Sequence, residues 1–318
     1  MTGPQQLQFS HRPNLPSGCP PAQPINGVTT GAAGCDPDPV DTEELVDTEA
    51  FIRDGFVTVR GAFGPAVAAD CRRAIRAALR GRGADPATPS TWPPLAQFTD
   101  LDDDAFTAAA SAPALTRAVD TLVGPGRWTP PIQAGHAVLV RFPSDGHANS
   151  GYHIEGSFDG PGGYWVNLRS RARGLLALFL FTDVGPDDAP TRLIVGSHRY
   201  IPELLAPYGE NGVLSDTLAG QWRPSLLCRP MAHATGRAGD VFLCHPFLVH
   251  TATWPHRGTG PRMIAQPAVY AGGGFGLDGS DTAPVARAIV AGLSPHSQTA
   301  KNFGPVGSTC RSGAGAFV

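Results

Sequence analysis

Two metal-ligand side chains, His153 and Glu155, stand two positions apart in the tripeptide His-Ile-Glu. On an extended strand, residues i and i+2 point to the same face, so both side chains can reach one ion. Two histidines and one carboxylate on one face of a metal leave three positions open, which suits non-haem iron(II) that binds a bidentate co-substrate and O2. The spacing therefore predicts part of an iron site and requires a second histidine from elsewhere.

His250 is the predicted second histidine. It lies between one strand-like segment that ends near Cys244 and another that starts near Met263. His245 precedes it in the same segment and is the competing candidate. A His-x-Glu pair alone is a weak signal that also occurs on solvated surfaces, so the metal role depends on the residues that accompany it.

Arg262 is predicted to hold an anion beside the metal. It follows His250 by twelve residues, across a Gly-Thr-Gly-Pro turn, and opens the apolar run Met-Ile-Ala. A hairpin of that length places the arginine near the metal on the neighbouring strand, where its planar fork can hold a distal carboxylate through two hydrogen bonds. The alternative is an arginine in a surface salt bridge.

The elements that must position these residues change type along the chain. Helices are predicted first, at about 41–54, 65–79 and 103–123, with a short strand at 56–59. From residue 132 onward the hydrophobic period becomes two, which predicts strands at about 136–142, 164–169, 174–184, 193–195, 226–231, 240–244 and 263–270. Further helices are predicted at about 201–208, 215–222 and 283–293. This order favours an all-β sandwich or barrel with helical additions.

His136 is a candidate for the same cavity. It alternates with Val138 and Val140 on the predicted strand 136–142, so its side chain is expected on their face of the strand. The alternative is a core histidine whose ring nitrogens are satisfied by neighbouring groups.

The two ends of the chain differ from its middle. Residues 1–40 are rich in Pro, Gly and small polar types without periodicity, which predicts a flexible or irregular N-terminal arm. Residues 41–296 are predicted to form a single catalytic domain with N-terminal helices, and residues 297–318 a Gly-rich C-terminal tail.

The composition of the chain limits the kinds of partner that the protein is expected to bind. The formal net charge is −3 without a block of Lys or Arg, which argues against nucleic acid and anionic membranes. The longest apolar stretch, 175–181, is too short to cross a bilayer, and the first residues lack the pattern of a signal peptide. Six scattered cysteines without a C-x-x-C pair predict free thiols in a reducing compartment. We expect a soluble, cytoplasmic monomer or homodimer that binds a small molecule.

Five features in order resemble the phytanoyl-CoA dioxygenase family of iron(II)/2-oxoglutarate enzymes. The resemblance runs from about Phe51 to Val269, most of the predicted ordered chain. The features are the His153/Glu155 pair, Gly-Ser-His-Arg at 196–199, Gly-Asp at 239–240, His250 and Arg262. Each feature alone is common, and the specificity comes from their order and spacing.

The resemblance implies a mainly β fold with added helices around a double-stranded β-helix, a cupin-like jelly roll. It implies iron ligation by His153, Glu155 and His250, with Arg262 on the C5 carboxylate of 2-oxoglutarate. Thr191 matches a position that contacts the co-substrate in relatives with a Thr-Arg pair. The implied cofactor is Fe(II), and the implied co-substrates are 2-oxoglutarate and O2.

This chain departs from the family pattern at two positions. Glu155 stands where Asp is commoner, and Ala252 stands where many relatives carry a hydroxyl that helps to hold 2-oxoglutarate. Thr251 and Thr253 are both candidates to replace that hydroxyl.

The implied reaction is hydroxylation of an aliphatic C–H bond in a small organic substrate, with release of succinate and CO2. Desaturation, epimerisation and ring formation use the same residues and remain open, as does a catalytically silent jelly-roll binding module. Because Glu155 fills the carboxylate position, no place is left for a chloride ligand, and halogenation is not expected.

Overall fold

The computed structural model describes residues 46–145, 151–222 and 224–293. The predicted arm 1–40 and tail 297–318 lie outside these residues. The helices are α1 (Thr48–Asp54), α2 (Pro65–Gly81), α3 (Asp104–Ala110), α4 (Pro113–Val123), α5 (Ile201–Leu205), α6 (Ser215–Ala219), α7 (Pro224–Leu227) and α8 (Pro284–Leu293). The strands are β1 (Phe56–Val59), β2 (Leu95–Phe98), β3 (Val138–Arg141), β4 (Phe158–Gly160), β5 (Gly163–Val166), β6 (Ala172–Leu180), β7 (Arg192–Ile194), β8 (Val213–Leu214), β9 (Met231–His233), β10 (Val241–Cys244), β11 (His250–Thr251), β12 (Arg262–Ala265) and β13 (Ala268–Ala271).

The strands form antiparallel sheets. The large sheet has the order β1-β10-β6-β12-β3-β2, and β13 pairs with β6 outside this path. A second sheet has the order β11-β7-β9, and a third has the order β4-β5-β8. More of the described residues lie in helices than in strands. The fold is therefore mixed helix and antiparallel sheet.

Strand β6 separates two apolar cores. Its odd-numbered residues Leu175, Ala177 and Phe179 belong to the larger core, which also contains buried residues of α2, α4 and α8. Its even-numbered residues Leu176, Leu178 and Leu180 belong to a smaller core together with Leu193 of β7 and Ile264 of β12. The smaller core, called the inner core below, thus contains residues of both the large sheet and the second sheet. Both faces of β6 are buried, as its continuous apolar sequence predicts.

Local sequence explains where the first helices begin and end. Asp47 accepts a hydrogen bond from the backbone N–H of Ala50 at 2.8 Å and caps α1. The helix predicted at 103–123 is two helices, because Pro113 disfavours a helical conformation at Ala112, whose ψ is 131°. The predictions for β1 and for the start of α2 are confirmed.

Two strand predictions after residue 220 are wrong in detail. Residues 224–227 form α7, whereas a strand was predicted from residue 226 onward, and the strand that follows α7 is the short β9. The strand predicted at 263–270 is two strands, separated by Gln266 and Pro267, because proline has no N–H to donate to a sheet. The short strands β2, β4, β8 and β11 were not predicted.

The cysteines follow the prediction in part. Cys71 and Cys244 are free and buried. Cys228 is disulfide-bonded, so the prediction of free thiols is wrong at that position. No helix in the described ranges is both long enough and apolar enough to cross a membrane.

Candidate metal centre

A short backbone pairing brings the two predicted histidine ligands together. The N–H of His153 donates to the carbonyl of His250 at 3.0 Å, and the N–H of His250 donates back to His153 at 2.9 Å. Strand β11, which begins at His250, is itself anchored to β7 through the pairing of His250 with Leu193. The two imidazole rings lie 4.4 Å apart, centroid to centroid. The second sheet therefore fixes the positions of both histidines.

The Nδ1 atoms of both rings face backbone carbonyl oxygens. His153 Nδ1 lies 3.1 Å from the carbonyl oxygen of Gly151, and His250 Nδ1 lies 3.0 Å from that of Leu248. A carbonyl accepts hydrogen bonds only, so this network assigns the proton to Nδ1 and leaves the Nε2 lone pair available in each neutral ring. Such a carbonyl partner is the usual way in which proteins orient a metal-binding histidine.

Glu155 completes the cluster. Its Oε1 lies 3.3 Å from Nε2 of His250 and 3.8 Å from Nε2 of His153. One ligand atom from each residue lies within 4.8 Å of the others. Atoms that share one metal at bond lengths of about 2 Å stand closer together than this, so the three side chains would hold a metal after an inward shift. The donor set and its spacing fit a divalent metal of the first transition series.

The surroundings of Glu155 favour its ionised form. Burial opposes ionisation, but the close contact with His250 and the charge of Arg173 outweigh it and hold the pKa of Glu155 well below its usual range. Arg173 Nη2 lies 3.9 Å from Glu155 Oε2, and Arg173 Nε donates to the carbonyl of Gly156 at 2.7 Å. Arg173 therefore positions the segment that carries the carboxylate.

The site opens to solvent on one side. The side chain of His250 is 3% exposed, whereas those of His153 and Glu155 are 20% and 29% exposed. Glu155 lies in an irregular segment after the bridge at His153, and Ile154 between them is buried. The alternation expected of an extended segment is thus present without a regular strand.

Arg262 lies on the large sheet and not on a strand beside β11. It opens β12, which pairs with β3 and β6, so the prediction of a hairpin neighbour is wrong. Its side chain is buried, and its Nη1 donates to the carbonyl of Ala189, shortly before β7, at 2.6 Å. Burial and the nearby Arg141 lower the pKa of Arg262 to about 9, although Asp188 acts in the opposite direction.

Arg141 is a second buried arginine that the sequence did not single out. It is the direct cross-strand partner of Arg262. Its Nη1 donates to the carbonyl of Thr253 at 3.4 Å, and its guanidinium carbon lies 4.6 Å from the centre of a Trp254 ring. Burial lowers its pKa to about 10. In the sequence, the feature that could have identified Arg141 is its position at the end of the apolar run 137–140.

The other two predicted co-substrate residues differ in placement. Thr191 is buried directly before β7, and its carbonyl accepts a hydrogen bond from the N–H of Ala234 at 2.8 Å. His136 is exposed and lies in a short 3-10 helix, Ala134–Ala137. The prediction that His136 faces a cavity from a strand is therefore wrong, because the strand begins only at Val138.

The threonines beside Ala252 are both engaged elsewhere. The Thr253 hydroxyl donates to the carbonyl of Pro190 at 2.6 Å. The Thr251 hydroxyl donates to the carbonyl of Ala252 at 3.2 Å, and Thr251 is the cross-strand partner of Arg192. Neighbouring residues of a strand face opposite sides, so Thr251 and Arg192 face away from His250.

His245 lies outside the cluster. It is buried, with Nε2 3.3 Å from the carbonyl of Val285 and Nδ1 accepting from the N–H of Phe247 at 3.1 Å. Its ring lies 4.9 Å from that of His198, a residue of the Gly-Ser-His-Arg motif. Both ring nitrogens of His245 therefore have partners within the larger core region, and His250 is the histidine that meets His153 and Glu155.

Comparison with solved structures shows the fold. The chain is similar to the hypothetical protein JW0805 from Escherichia coli, with a TM-score of 0.51 and 14% identity over 73% of this chain and 68% of that one. It is also similar to the epimerase SnoN, solved with Fe3+, alpha ketoglutarate and nogalamycin RO, with a TM-score of 0.48 and 19% identity over 71% and 82%. HygX from Streptomyces hygroscopicus, solved with nickel, 2-oxoglutarate and hygromycin B, gives 0.43 and 19% over 73% and 87%.

Comparison with protein families shows which family the chain belongs to. A search of curated proteins finds no match. The family described as phytanoyl-CoA dioxygenase (PhyH) matches residues 51–264, well over half of the chain. These residues include the His153, Glu155 and His250 cluster as well as Arg262. The chain therefore belongs to the phytanoyl-CoA dioxygenase family, whose members are enzymes that depend on iron(II) and 2-oxoglutarate.

Proposed function

We propose that this chain is an iron(II)/2-oxoglutarate-dependent dioxygenase that hydroxylates an aliphatic C–H bond of a small organic substrate. One observation carries the proposal: His153 and His250 present Nε2 to the ionised Glu155, and one ligand atom of each residue lies within 4.8 Å of the others. The balanced reaction consumes one 2-oxoglutarate, one O2 and one substrate C–H bond. It releases succinate and CO2 and leaves the alcohol.

His153, Glu155 and His250 are the proposed metal ligands. Bound iron(II), with 2-oxoglutarate and O2, supplies the oxidising power for attack on an unactivated C–H bond. The carbonyls of Gly151 and Leu248 keep each imidazole in the tautomer that presents Nε2. Arg173 orients Glu155 from the side and favours its anionic form. These contacts hold the ligands ready before the metal arrives, which lowers the cost of ordering them.

Arg262 is the proposed partner of the C5 carboxylate of 2-oxoglutarate, and Thr191 the proposed second contact. Arg262 is buried and extends to the carbonyl of Ala189, two residues before Thr191. A guanidinium in such a place binds a carboxylate strongly, because little water competes for its N–H groups. The inner core, with Leu193 and Ile264, excludes water from this side.

We also propose how the sheets are arranged around the metal centre. We take the large sheet and the second sheet as the two walls of a double-stranded β-helix, with the metal cluster at its mouth. The antiparallel pairing throughout and the inner core shared by both sheets support this. We keep residues 41–296 as one catalytic domain, flanked by an N-terminal arm and a C-terminal tail. A truncated protein that starts at Asp41 is expected to retain metal binding and 2-oxoglutarate decarboxylation. Loss of either property would mean that the N-terminal arm is needed for activity.

The first experiment is a thermal shift with iron(II) and 2-oxoglutarate under anaerobic conditions. Each ligand that binds only the folded state raises the melting temperature, and 2-oxoglutarate should add to the shift only when the metal is present. Glu155→Ala is the matched control and should lose both shifts. A wild-type protein that responds to neither ligand contradicts the proposal and favours a silent binding module.

A second experiment identifies the reaction. Succinate release is measured under air across a panel of small organic molecules, because the true substrate should couple 2-oxoglutarate consumption to its own oxidation. Mass analysis of the product separates hydroxylation, a gain of one oxygen atom, from desaturation or ring formation, a loss of two hydrogens, and from epimerisation, no change in mass. Only the first outcome supports hydroxylation.

A further inference from the structure

Two arginines face each other across neighbouring strands in the interior of the protein. Arg141 ends β3 and Arg262 opens β12, and the register of the two strands makes them direct partners. They are 5% and 3% exposed. Like charges directly opposite in a sheet repel each other, and burial removes the water that weakens this repulsion. The arrangement requires a compensating anion or costs stability.

Both side chains point into the space between the large sheet and the second sheet. Arg262 is two residues from Ile264 on β12, and Arg141 is two residues from Leu139 on β3, so each pair shares a face. Ile264 belongs to the inner core, and Leu139 packs against it. The two guanidiniums therefore lie on the inner face of the large sheet.

The hydrogen bonds of the pair satisfy only part of their donors. Each guanidinium has five N–H groups. Arg141 donates to the carbonyl of Thr253 and Arg262 to that of Ala189, both neutral acceptors. The Nε atoms of both side chains are buried without a hydrogen-bond partner. Within the described part of the chain, neither guanidinium has a carboxylate within 4.0 Å.

The two carbonyl contacts lie beside the metal-bearing strands. Ala189 is shortly before β7, which begins at Arg192 after the buried Thr191, and Thr253 is three residues after His250 on β11. The guanidinium pair thus spans from the large sheet to both segments that border the metal centre. Arg141 also lies against the ring of Trp254, a contact that restricts the plane of its guanidinium.

We propose that Arg141 is the second arm of the clamp and binds the C5 carboxylate of 2-oxoglutarate beside Arg262. This inference rests on the proposed function. A carboxylate offers about four lone pairs, so one such group can accept N–H donors from two guanidiniums at once. It also places a negative charge directly against the pair, whereas Asp188 acts on Arg262 only from beyond 4.0 Å. A carboxylate of the substrate is the competing anion, and the experiment separates the two.

The test compares the affinities of the nickel(II)-loaded protein for two keto acids, measured by calorimetry without turnover. One is 2-oxoglutarate, and the other is 2-oxopentanoate, which has the same keto-acid end but no distal carboxylate. Arg141→Met should weaken 2-oxoglutarate binding by about tenfold or more and leave 2-oxopentanoate binding unchanged. Arg262→Met should behave in the same way. Arg72→Met is the matched control, because Arg72 also donates to a backbone carbonyl, that of Phe181, which belongs to the larger core and not to the inner core.

The melting temperature of Arg141→Met distinguishes a role in anion binding from a purely structural role. Without keto acid, Arg141→Met removes a like-charge repulsion, so its melting temperature should equal or exceed that of the wild type. With 2-oxoglutarate present, the variant should gain less than the wild type does. A purely structural arginine would instead give a variant that melts lower in both conditions.

The outcomes distinguish this inference from the proposed function. If Arg262→Met weakens 2-oxoglutarate binding and Arg141→Met does not, the inference is overturned and the proposed function stands, with a substrate anion as the partner of Arg141. If Arg141→Met weakens both keto acids equally, the inference is also overturned. If the wild type binds neither keto acid, the proposed function itself fails.

Discussion

His153 and His250 are paired in an isolated antiparallel bridge, in which the backbone N–H of each donates to the carbonyl of the other at 3.0 and 2.9 Å. The two residues are almost a hundred positions apart in the sequence, yet their rings meet because their backbones do. The pairing does not involve either side chain. Changes to the imidazoles therefore leave intact the contact that positions them, which makes the metal centre accessible to clean mutational tests.

Removal of any one ligand should abolish metal-dependent turnover while the fold persists. His153→Ala, Glu155→Ala and His250→Ala are each expected to lower succinate formation by more than about 100-fold, because ligand loss should exceed the effect of losing an outer-shell partner. Nickel(II) binding measured by calorimetry should weaken in parallel, whereas the far-ultraviolet circular dichroism should not change. Near-normal turnover in Glu155→Ala would show that another group supplies the carboxylate.

His245→Gln is the control for the histidine assignment. His245 is buried between the larger core and the carbonyl of Val285, so its replacement should lower the melting temperature. It should leave the stoichiometry and affinity of nickel(II) unchanged. A loss of metal binding equal to that of His250→Ala would exchange the roles of the two histidines.

Arg262→Leu should raise the requirement for 2-oxoglutarate with little change in metal affinity. Breaking one side of a buried, charge-assisted pair costs on the order of 2–5 kcal/mol, which corresponds to a roughly thirtyfold or larger rise in the dissociation constant. Titration of 2-oxoglutarate into the nickel(II)-loaded protein measures this rise. Arg192→Leu is the control, because Arg192 faces away from His250, and an equal effect there would relocate the clamp.

The sequence predicts the metal residues better than it predicts their surroundings. The pair His153 and Glu155 is local, and His250 and Arg262 follow at family spacings, so the sequence alone names all four as candidates. Arg141 and Arg173 cannot, because their roles depend on which strands become neighbours. The register of β3 against β12 makes Arg141 a partner of Arg262, and no periodicity along a single segment contains that information.

The same distinction holds for the fold. Strand β1 and helix α2 follow from local patterns of apolar residues and turns. The strand predicted through His136 begins later, because a 3-10 helix precedes it, and tertiary contacts decide such boundaries. The replacement of a predicted strand near 226 by α7 has the same origin: a short apolar run fits either element until its neighbours are known.

Gly55→Ala should destabilise the protein through both backbone and packing. Gly55 ends α1 with a φ of +90°, where a side chain is strained, and an added Cβ would collide with Nδ1 of His198. We expect a loss of more than about 2 kcal/mol in the free energy of unfolding, measured with urea. Gly81→Ala is the matched control, because nothing lies within 4 Å of a Cβ there, and it should be neutral or slightly stabilising. Equal effects of the two changes would contradict this account.

Acid should destabilise the protein through its buried histidine pair. Burial, the largest cause, lowers the pKa of His198 to about 3, and burial together with His198 holds the pKa of His245 well below its usual range. In the unfolded chain both rings take up a proton below about pH 6.5, whereas in the folded protein they stay neutral. The unfolded state then binds more protons, so the free energy of unfolding falls as the pH falls from about 6.5 towards 3.

His198→Gln tests this pH dependence. The variant loses one of the two rings, so the slope of unfolding free energy against pH between about pH 6 and 4 should decrease by up to about 1.4 kcal/mol per pH unit. Urea unfolding at several pH values gives this slope, which is independent of any uniform loss of stability caused by the substitution. His136→Gln removes an exposed histidine and should follow the wild type. An unchanged slope in His198→Gln would mean that the ring is protonated equally in the folded and unfolded states, and its burial beside His245 would then have no role in acid sensitivity.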